Sequence, residues 1–391
     1  MIGAGFLNLP HWQGKLQQIL GDLRRPDLFR LPVLGTENVE HPWVALESGD
    51  FYSAISTGII FNNDHRINRF PEKLVCADAE VALKRLYAEK NRNTWFKAAI
   101  GATFPFLKIL ASDQVEAPVR IYVQNDAVAS FILSHMETES CSLDKAVAAA
   151  QWEKVATSNP NPSLHGIVTR NRLVLQIAEI FGFAVPAEKV FCNGIGSICS
   201  DDIRVADSLG YSIRLLGMAE KGSENLIKAS VEPCLIPRKF FLAQARGGSE
   251  IIYSQSESGQ SQVFACPGTC EESVVRGILT DLEEIKSSAN HDKEVVVLDS
   301  VSDFSGRYYI RLELVNLTST LAQVLNLIAA NGIEVDSINQ PSVEVSRETE
   351  SSRPIVLLTA KTDVDRINNA ISMINEQIKL ASVCSYFKLL R

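Results

Sequence analysis

Residues 308–391 contain the pattern that most restricts what this chain can fold into. Four segments have the composition and alternation of β-strands, and two have the 3–4 residue spacing of amphipathic helices. In chain order they read "YYIRLEL", "LAQVLNLIAANG", "IEVDSINQ", "PIVLLTA", "VDRINNAISMINEQIKL" and "VCSYFKLL". The order β-α-β-β-α-β is the ferredoxin-like arrangement. The sequence therefore predicts a ferredoxin-like domain over residues 305–391.

Two regions of different composition precede this domain. Residues 1–100 alternate short apolar runs with helical patterns such as "AEVALKRLYAEK", which predicts β-α units and a parallel sheet. Residues 101–290 mix long amphipathic helices with short strands; one helix is predicted to begin at Ser142 and another to end at Gly182. A polar link over residues 286–294 follows. The predicted fold class is α/β plus α+β, with three domains at 1–100, 101–290 and 305–391.

Composition excludes several classes of function. The 391 residues have a net charge of −8, which provides no electrostatic footprint for nucleic acid or an anionic membrane. No apolar run approaches the roughly 20 residues of a membrane-spanning helix, and no secretory signal is visible, so a cytoplasmic protein is expected. The 8 cysteines are scattered, which fits a reduced protein rather than a disulfide framework. Cys266 and Cys270 lack further ligands nearby, so no metal is expected.

Two consecutive stretches in the middle of the chain resemble homoserine dehydrogenase. They are "NGIGSICSDDIRVADSLGYSIRLLGMAE" and, shortly after it, "VEPCLIPRKFFLAQARGG". The resemblance extends to "LVCADAEVAL", "KAAIGATFPFLKIL" and "VRIYVQNDAVASFILSHM", and it covers roughly residues 50–285. It implies an eroded Rossmann-type N-terminal domain followed by an α+β substrate and dimerisation domain. The family reduces aspartate semialdehyde to homoserine with a nicotinamide cofactor.

The resemblance also implies which residues should be catalytic, and most of them are replaced. The family uses one lysine from "TANK", which aligns with Ala79, and another from "D..G.DAARK", which aligns with Arg172. The first and central aspartates of the second motif align with Ser163 and Val168. Because a guanidinium holds its proton more tightly than an ammonium does, an arginine at this position is a poor proton donor. Losing a positioned acid costs about 100- to 10,000-fold in rate, so the family's reaction is expected to be lost.

Three residues are candidates to replace the missing acid. Arg172 keeps the charge of the lysine, and His165 is a histidine, the residue type most often used as an acid or base, although an ordinary loop histidine is the alternative. Lys108 is the third, since it follows the segment that resembles the family's glycine loop. Asp202 is the substrate-binding candidate, and the alternative is that Asp201 and Asp202 stabilise a helix start.

The predicted cofactor site is incomplete. "IGAGFLN" contains Gly3 and Gly5 of a dinucleotide fingerprint but has Asn8 at the third glycine. No acidic residue on a convincing second strand follows about 20 residues later to bind a ribose. Gly101 and Gly268 occupy the family's other glycine loops. No cofactor is therefore assigned, and NAD(P) is the alternative.

The C-terminal pattern resembles an ACT domain, which implies a small amino-acid ligand. The ligand loop reads "NLTSTLA", with Asn316 and Ser319 at the pattern's aspartate and glycine. Together with Asn331 they are the effector-binding candidates. The alternative is that this domain only mediates dimer contacts.

The sequence thus predicts a regulatory or scaffolding relative of homoserine dehydrogenase, a pseudoenzyme of amino-acid metabolism. The expected assembly is a homodimer or higher oligomer, with an intact dehydrogenase subunit as a candidate partner and no nucleic acid or membrane. The alternative is an active NAD(P)-dependent homoserine dehydrogenase, or a repurposed reductase that acts on a related aldehyde.

Overall fold

A computed structural model describes most of the chain from Trp43 onward. The described residues are 43–48, 51–56, 73–76, 79–88, 94–110, 115–223, 226–268, 273, 276–277, 280–281, 284, 295–341, 352–379 and 381–390. Gly3 and Gly5, two of the cofactor candidates, lie outside this set, as does Cys270.

A four-stranded sheet lies at the N-terminal end of the described chain. Its strands, in sheet order, are β1 (Trp43–Ser48), β2 (Phe51–Ser56), β3 (Lys73–Cys76) and β4 (Thr94–Trp95). The pairs β2–β3 and β3–β4 are parallel, as the β-α pattern predicts. The pair β1–β2 is antiparallel, which corrects the expectation of a wholly parallel sheet. Only residues 49–50 connect these two strands, and a parallel pair needs a much longer crossover.

The central feature is a ten-stranded sheet that runs from the middle of the chain to its C-terminal region. Its main path is β11-β10-β5-β8-β9-β16-β13-β15-β14, and β7 pairs with β9 beside this path. The strands are β5 (Pro118–Gln124), β7 (Phe191–Cys192), β8 (Tyr211–Lys221), β9 (Ile227–Pro237), β10 (Glu250–Ser256), β11 (Ser261–Cys266), β13 (Arg307–Val315), β14 (Val335–Asn339), β15 (Ser352–Thr359) and β16 (Ala381–Leu389). A separate parallel pair joins β6 (Phe183–Ala184) to β12 (Val296–Val297).

Helices pack around these sheets. They are α1 (Ala79–Ala88), α2 (Lys97–Ile100), α3 (Phe104–Leu110), α4 (Ala127–Glu139), α5 (Leu143–Trp152), α6 (Asn161–Leu164), α7 (Ile167–Phe181), α8 (Ser200–Ser208), α9 (Leu317–Ala330) and α10 (Val364–Gln377). Gly182 ends α7 with φ of 76°, a left-handed conformation that favours glycine, and the predicted helix end is confirmed. Ser142 is the N-cap residue of α5, as predicted. No helix within the described residues is long and apolar enough to span a lipid bilayer.

The C-terminal elements β13, α9, β14, β15, α10 and β16 follow the predicted β-α-β-β-α-β order. Their four strands are neighbours in the order β16-β13-β15-β14, and each adjacent pair is antiparallel. Apolar side chains from the strands and both helices form a common core, among them Leu312, Val324, Leu357 and Ile367. The ferredoxin-like arrangement is therefore present in the structure.

The C-terminal unit continues the central sheet rather than standing apart from it. Strand β16 pairs in parallel with β9, with Lys388 opposite Cys234. Tyr309 and Phe387 stack with ring centroids 5.7 Å apart and belong to the hydrophobic core of the central region. The domain boundaries at 1–100, 101–290 and 305–391 stay predictions, and one sheet passes through the last two regions.

Candidate active site

Five chain segments meet beside the first turns of α4 and α7. Arg172 on α7 reaches Asn125 and Glu250, and the backbone N–H of Ala102 also donates to Glu250. A methyl group added to Gly268 would lie 1.9 Å from the carbonyl oxygen of Gly248, so these two loops touch through their backbones. We call residues 101–103, 125–127, 163–172, 247–250 and 266–268 the loop junction. All five segments fall within the stretch that resembles homoserine dehydrogenase.

Arg172 is held by acceptors within the protein. One terminal nitrogen, Nη1, donates to the carbonyl oxygen of Asn125 at 2.5 Å and to Oε1 of Glu250 at 3.1 Å. Glu250 begins β10 and is completely buried, and its Oε2 accepts from the N–H of Ala102 at 3.1 Å. Since a guanidinium only donates hydrogen bonds, this arrangement suits a fixed cation. Arg172 therefore connects α7 to the central sheet and to the loop that contains Gly101.

Asp126 is a buried carboxylate of the loop junction that the sequence analysis missed. Its Oδ1 caps α4 by accepting from the N–H groups of Val128 and Ala129, and it also accepts from Oγ of Ser163 at 3.2 Å. Its Oδ2 is buried and has no hydrogen-bond partner among the described residues. Burial raises the pKa of Asp126, although Arg172 and the bond from Ser163 oppose this shift. A carboxylate thus lies beside Ser163, which aligns with the family's first aspartate.

His165 is exposed and lies on the short turn between α6 and α7. Its Nδ1 lies 2.8 Å from the carbonyl oxygen of Asn161, one turn earlier. Lys108 lies on α3, with a side chain outside the part of the chain that is described. Ala79 starts α1, and Val168 lies in the first turn of α7. Since alanine and valine side chains do not ionise, neither position supplies a charged group. The catalytic roles of Arg172, His165 and Lys108 stay predictions.

Gly101 and Gly268 have backbone reasons to be glycine. Gly101 ends the short helix α2 with φ of 100°. A side chain at Gly268 would collide with Gly248 and with Cβ of Ala127, 2.6 Å away. Gly268 therefore allows the close approach of two loops, and Gly101 allows a backbone conformation that favours glycine. Their role in cofactor binding stays a prediction.

Lys97, just before Gly101, forms a buried ionic cluster that sequence reasoning also missed. Its Nζ lies 2.6 Å from Glu284, 3.7 Å from Asp281 and 4.0 Å from Glu179. The backbone N–H of Lys97 donates to Oδ2 of Asp281 at 3.0 Å. Burial, only partly offset by Lys97 and reinforced by Glu284, raises the pKa of Asp281 to about 8. The Lys97 ammonium therefore connects α2 to Glu179 on α7 and to the carboxyl groups of Asp281 and Glu284.

Asp202 is engaged by donors from the C-terminal unit. It is fully buried, and its Oδ1 accepts from Nε of Arg311 at 2.7 Å and from Oγ of Ser385 at 2.5 Å. Its Oδ2 accepts from the N–H of Cys199 at 3.0 Å, which forms a capping box at the start of α8. The helix-capping interpretation is confirmed. The Asp202 carboxylate already accepts three hydrogen bonds within the protein. Its role in substrate binding stays a prediction.

The effector candidates lie at the two ends of α9. Asn316 is the N-cap residue, in a left-handed conformation with φ of 54°, and Oγ of Ser319 donates to its carbonyl oxygen at 3.1 Å. Nδ2 of Asn331 donates to the carbonyl oxygen of Leu327 at 2.9 Å. Asn316 and Ser319 are exposed and Asn331 is half-buried. Their accessibility is compatible with a ligand, and effector binding stays a prediction.

The sequence comparisons identify the same part of the molecule. Residues 109–282 match the family model described as homoserine dehydrogenase. The homoserine dehydrogenase of Pseudomonas aeruginosa is 26% identical over 302 residues, which cover 73% of this chain and 68% of the relative. That of Corynebacterium glutamicum is 24% identical over 309 residues, covering 72% of this chain and 69% of the relative.

Solved structures support the fold assignment. The crystal structure of a homoserine dehydrogenase from Thiobacillus denitrificans superposes with a TM-score of 0.70 at 22% identity, covering 81% of this chain and 76% of that one. The homoserine dehydrogenase of S. aureus gives a TM-score of 0.60 at 17% identity, covering 86% and 79%. Residues 109–282 thus match the homoserine dehydrogenase family model, and the fold of the chain is similar to that of solved homoserine dehydrogenases.

Proposed function

We propose that this chain does not perform the family's hydride transfer and instead acts as a regulatory or scaffolding protein in amino-acid metabolism. The main support is the placement of Arg172, which occupies the position of a family lysine and donates to Glu250 and to the carbonyl of Asn125. Ala79 and Val168 provide no ionisable group at two further family positions.

The chemistry of an aldehyde reduction explains why this placement matters. Hydride addition creates an alkoxide, which needs a proton donor or a positioned positive charge in the transition state. A guanidinium is a poorer proton donor than the lysine ammonium that the family uses. If Arg172 turned away to contact a substrate, Glu250 would stay buried without its cation, which is costly. The pair therefore favours a structural role for the residue that stands in for the lysine.

An active NAD(P)-dependent homoserine dehydrogenase, or a reductase of a related aldehyde, is the second candidate. The observation in its favour is Asp126, whose carboxylate lies 3.2 Å from Oγ of Ser163. It would partly restore the negative charge that the family places at this position.

The C-terminal unit would serve regulation in this proposal. We propose that it is an ACT domain that binds a small amino acid near Asn316, Ser319 and Asn331 or joins two copies of the chain. An intact dehydrogenase subunit is the further proposed partner, and the cytoplasm the proposed location. Support comes from the β-α-β-β-α-β order and from the exposure of Asn316 and Ser319.

The decisive experiment is a titration of the purified chain with NADPH and NAD⁺, followed by cofactor fluorescence. Turnover would be measured with aspartate semialdehyde in one direction and homoserine in the other. We expect no turnover, and Arg172→Lys, which returns the lysine, serves as the matched variant. Saturable cofactor binding with turnover in the unmodified chain, abolished by Asp126→Asn, would instead establish the second candidate. Calorimetry with a panel of amino acids tests the ACT proposal, with Ser319→Ala as its variant.

A further inference from the structure

An arginine-lined cavity lies under the loop that follows β9. Its volume is about 220 Å³, and it opens between the end of α4, the start of β8 and the turn Phe241–Gln244. The lining side chains are mostly polar: Glu137, Thr138, Ser212, Arg238, Ala243, Gln244 and Arg246. None of these residues belongs to the loop junction or to the effector candidates of the C-terminal unit.

The acidic groups around this cavity are already paired. Oε2 of Glu137 accepts from Nη2 of Arg214 at 2.7 Å, and its Oε1 accepts from Oγ of Ser212 at 2.7 Å. Burial alone would raise the pKa of Glu137, but Arg214 and Ser212 lower it below its ordinary value, so the carboxylate is ionised. Arg238 forms an ion pair with Asp207 and lies 3.4 Å from Glu137. These contacts pair two arginines with two carboxylates.

Arg246 remains as a cation without a carboxylate partner among the residues that the structure describes. It is exposed at the cavity, close enough to Glu137 to influence its ionisation. Arg214, behind Glu137, is completely buried, and its Nε has no acceptor within the described chain. Arg214 does not itself line the cavity. The excess positive charge at the cavity therefore comes from Arg246.

We propose that this cavity binds the carboxylate group of a small metabolite between Arg246 and Arg238. A planar guanidinium matches a carboxylate through two parallel hydrogen bonds, and two of them can hold both oxygens. The single unpaired arginine favours a monoanionic group over a phosphate dianion. The available volume restricts the ligand to a small organic acid.

Arg246 directly precedes residues 247–250 of the loop junction, so the chain connects the cavity to that region. Gly247 and Gly248 follow Arg246 with φ of 60° and 87°, and the strand then begins at Glu250, the partner of Arg172. The N–H of Gly247 donates to Oγ of Ser134 on α4, which fixes one end of this short connection. A ligand that orders Arg246 would restrict the same loop. The site would therefore act as an effector site, independent of any nicotinamide cofactor.

Isothermal titration calorimetry with acetate, succinate and inorganic phosphate tests the proposal on the full chain. We expect saturable binding of a carboxylate that Arg246→Gln weakens about tenfold or more. Lys239→Gln, an exposed neighbour that does not line the cavity, should leave the affinity within about twofold. No saturable carboxylate binding, tighter binding of phosphate, or equal weakening in both variants would each overturn the proposal. Because Arg246 is exposed, its variant is expected to fold, which circular dichroism checks.

Hydrogen exchange tests the connection to the loop junction separately. Addition of the carboxylate that binds most tightly should slow amide exchange over residues 247–250. Binding without any change there would contradict the effector role while leaving the site itself intact. Turnover of homoserine is not needed for either measurement, so failure of this inference differs in outcome from failure of the proposed function.

Discussion

Nζ of Lys388 lies 2.5 Å from Oε1 of Glu232, and this ion pair between β16 and β9 is almost completely buried. Ser230 donates to the same carboxylate oxygen, and Lys388 also donates to the carbonyl of Phe304. Arg311 and Asp202 form a second buried pair between the C-terminal unit and α8. Two charge pairs and a strand pairing therefore join the C-terminal unit to the region that matches the homoserine dehydrogenase model.

Replacement of Lys388 by methionine should destabilise the whole chain. The variant leaves Glu232 buried without its cation, and breaking a buried pair on one side costs about 3–5 kcal/mol. Urea unfolding, followed by circular dichroism, measures the change. Lys361→Met removes an exposed lysine of the same unit and should change stability by less than about 0.5 kcal/mol. A Lys388→Met variant as stable as the unmodified chain would contradict the buried pair.

Asp202→Asn distinguishes a structural carboxylate from a ligand-binding one. Loss of its charge leaves Arg311 buried without a counter-ion, so we expect a loss of about 3–5 kcal/mol in unfolding free energy. The double variant Asp202→Leu/Arg311→Met should recover part of this loss, since apolar side chains can replace a buried pair. If Asp202→Asn kept full stability but lost affinity for homoserine, the substrate-binding prediction for Asp202 would be correct.

The local elements of the C-terminal unit could be predicted because each has its own periodicity. The end of α7 could also be predicted, since Gly182 has a backbone conformation that favours glycine. The partner of Asp202 could not, because Arg311 lies 109 residues away and nothing in either local pattern indicates the pairing. The helix-capping role of Asp126 could have been predicted, because an acidic residue directly before a helical segment is a typical N-cap. Glu250 had a weaker signal, a charge at the start of the apolar strand "EIIY".

The stability of the chain should fall as pH rises, because of Asp281. Its pKa is about 8 in the folded protein, against 3.8 for an ordinary aspartate, so the folded state retains a proton that the unfolded state releases. Between about pH 4 and pH 8 the unfolding free energy should decrease as pH rises, because the folded state binds more protons at this group than the unfolded state does. Below that range the contribution is fully present, and above it the contribution is lost.

Chemical unfolding at a series of pH values, with Asp281→Asn as the test variant, measures this effect. The asparagine oxygen can still accept from the N–H of Lys97, and the titrating group is gone, so the slope with pH should flatten. Asp144→Asn, at an exposed position in the first turn of α5, should keep the slope of the unmodified chain. An identical slope in Asp281→Asn would show that this carboxyl group is ionised in the folded state.

Gly268→Ala should disturb the loop junction. The added methyl group would meet the carbonyl oxygen of Gly248 at 1.9 Å, and a backbone atom cannot move aside as a flexible side chain can. Overpacking of this kind costs about 1–3 kcal/mol, which a thermal unfolding scan detects. Gly196→Ala is the matched control, because its methyl group would lie 4.0 Å from the carbonyl oxygen of Leu164, an ordinary van der Waals distance. Equal melting temperatures for the two variants would contradict the close approach.

The parallel pairing of β16 with β9 has a consequence for synthesis. The ribosome produces β9 long before β16, so part of β9 stays unpaired until β16 has been synthesised. During that time Glu232 and Asp202 also lack their basic partners. Unpaired strand edges invite pairing with other chains, and long-range parallel contacts form slowly. Residues 381–389 form β16, which is the last strand of this sheet to be synthesised and which joins β9 to β13. A chain interrupted before them would present an unpaired, aggregation-prone edge at β9.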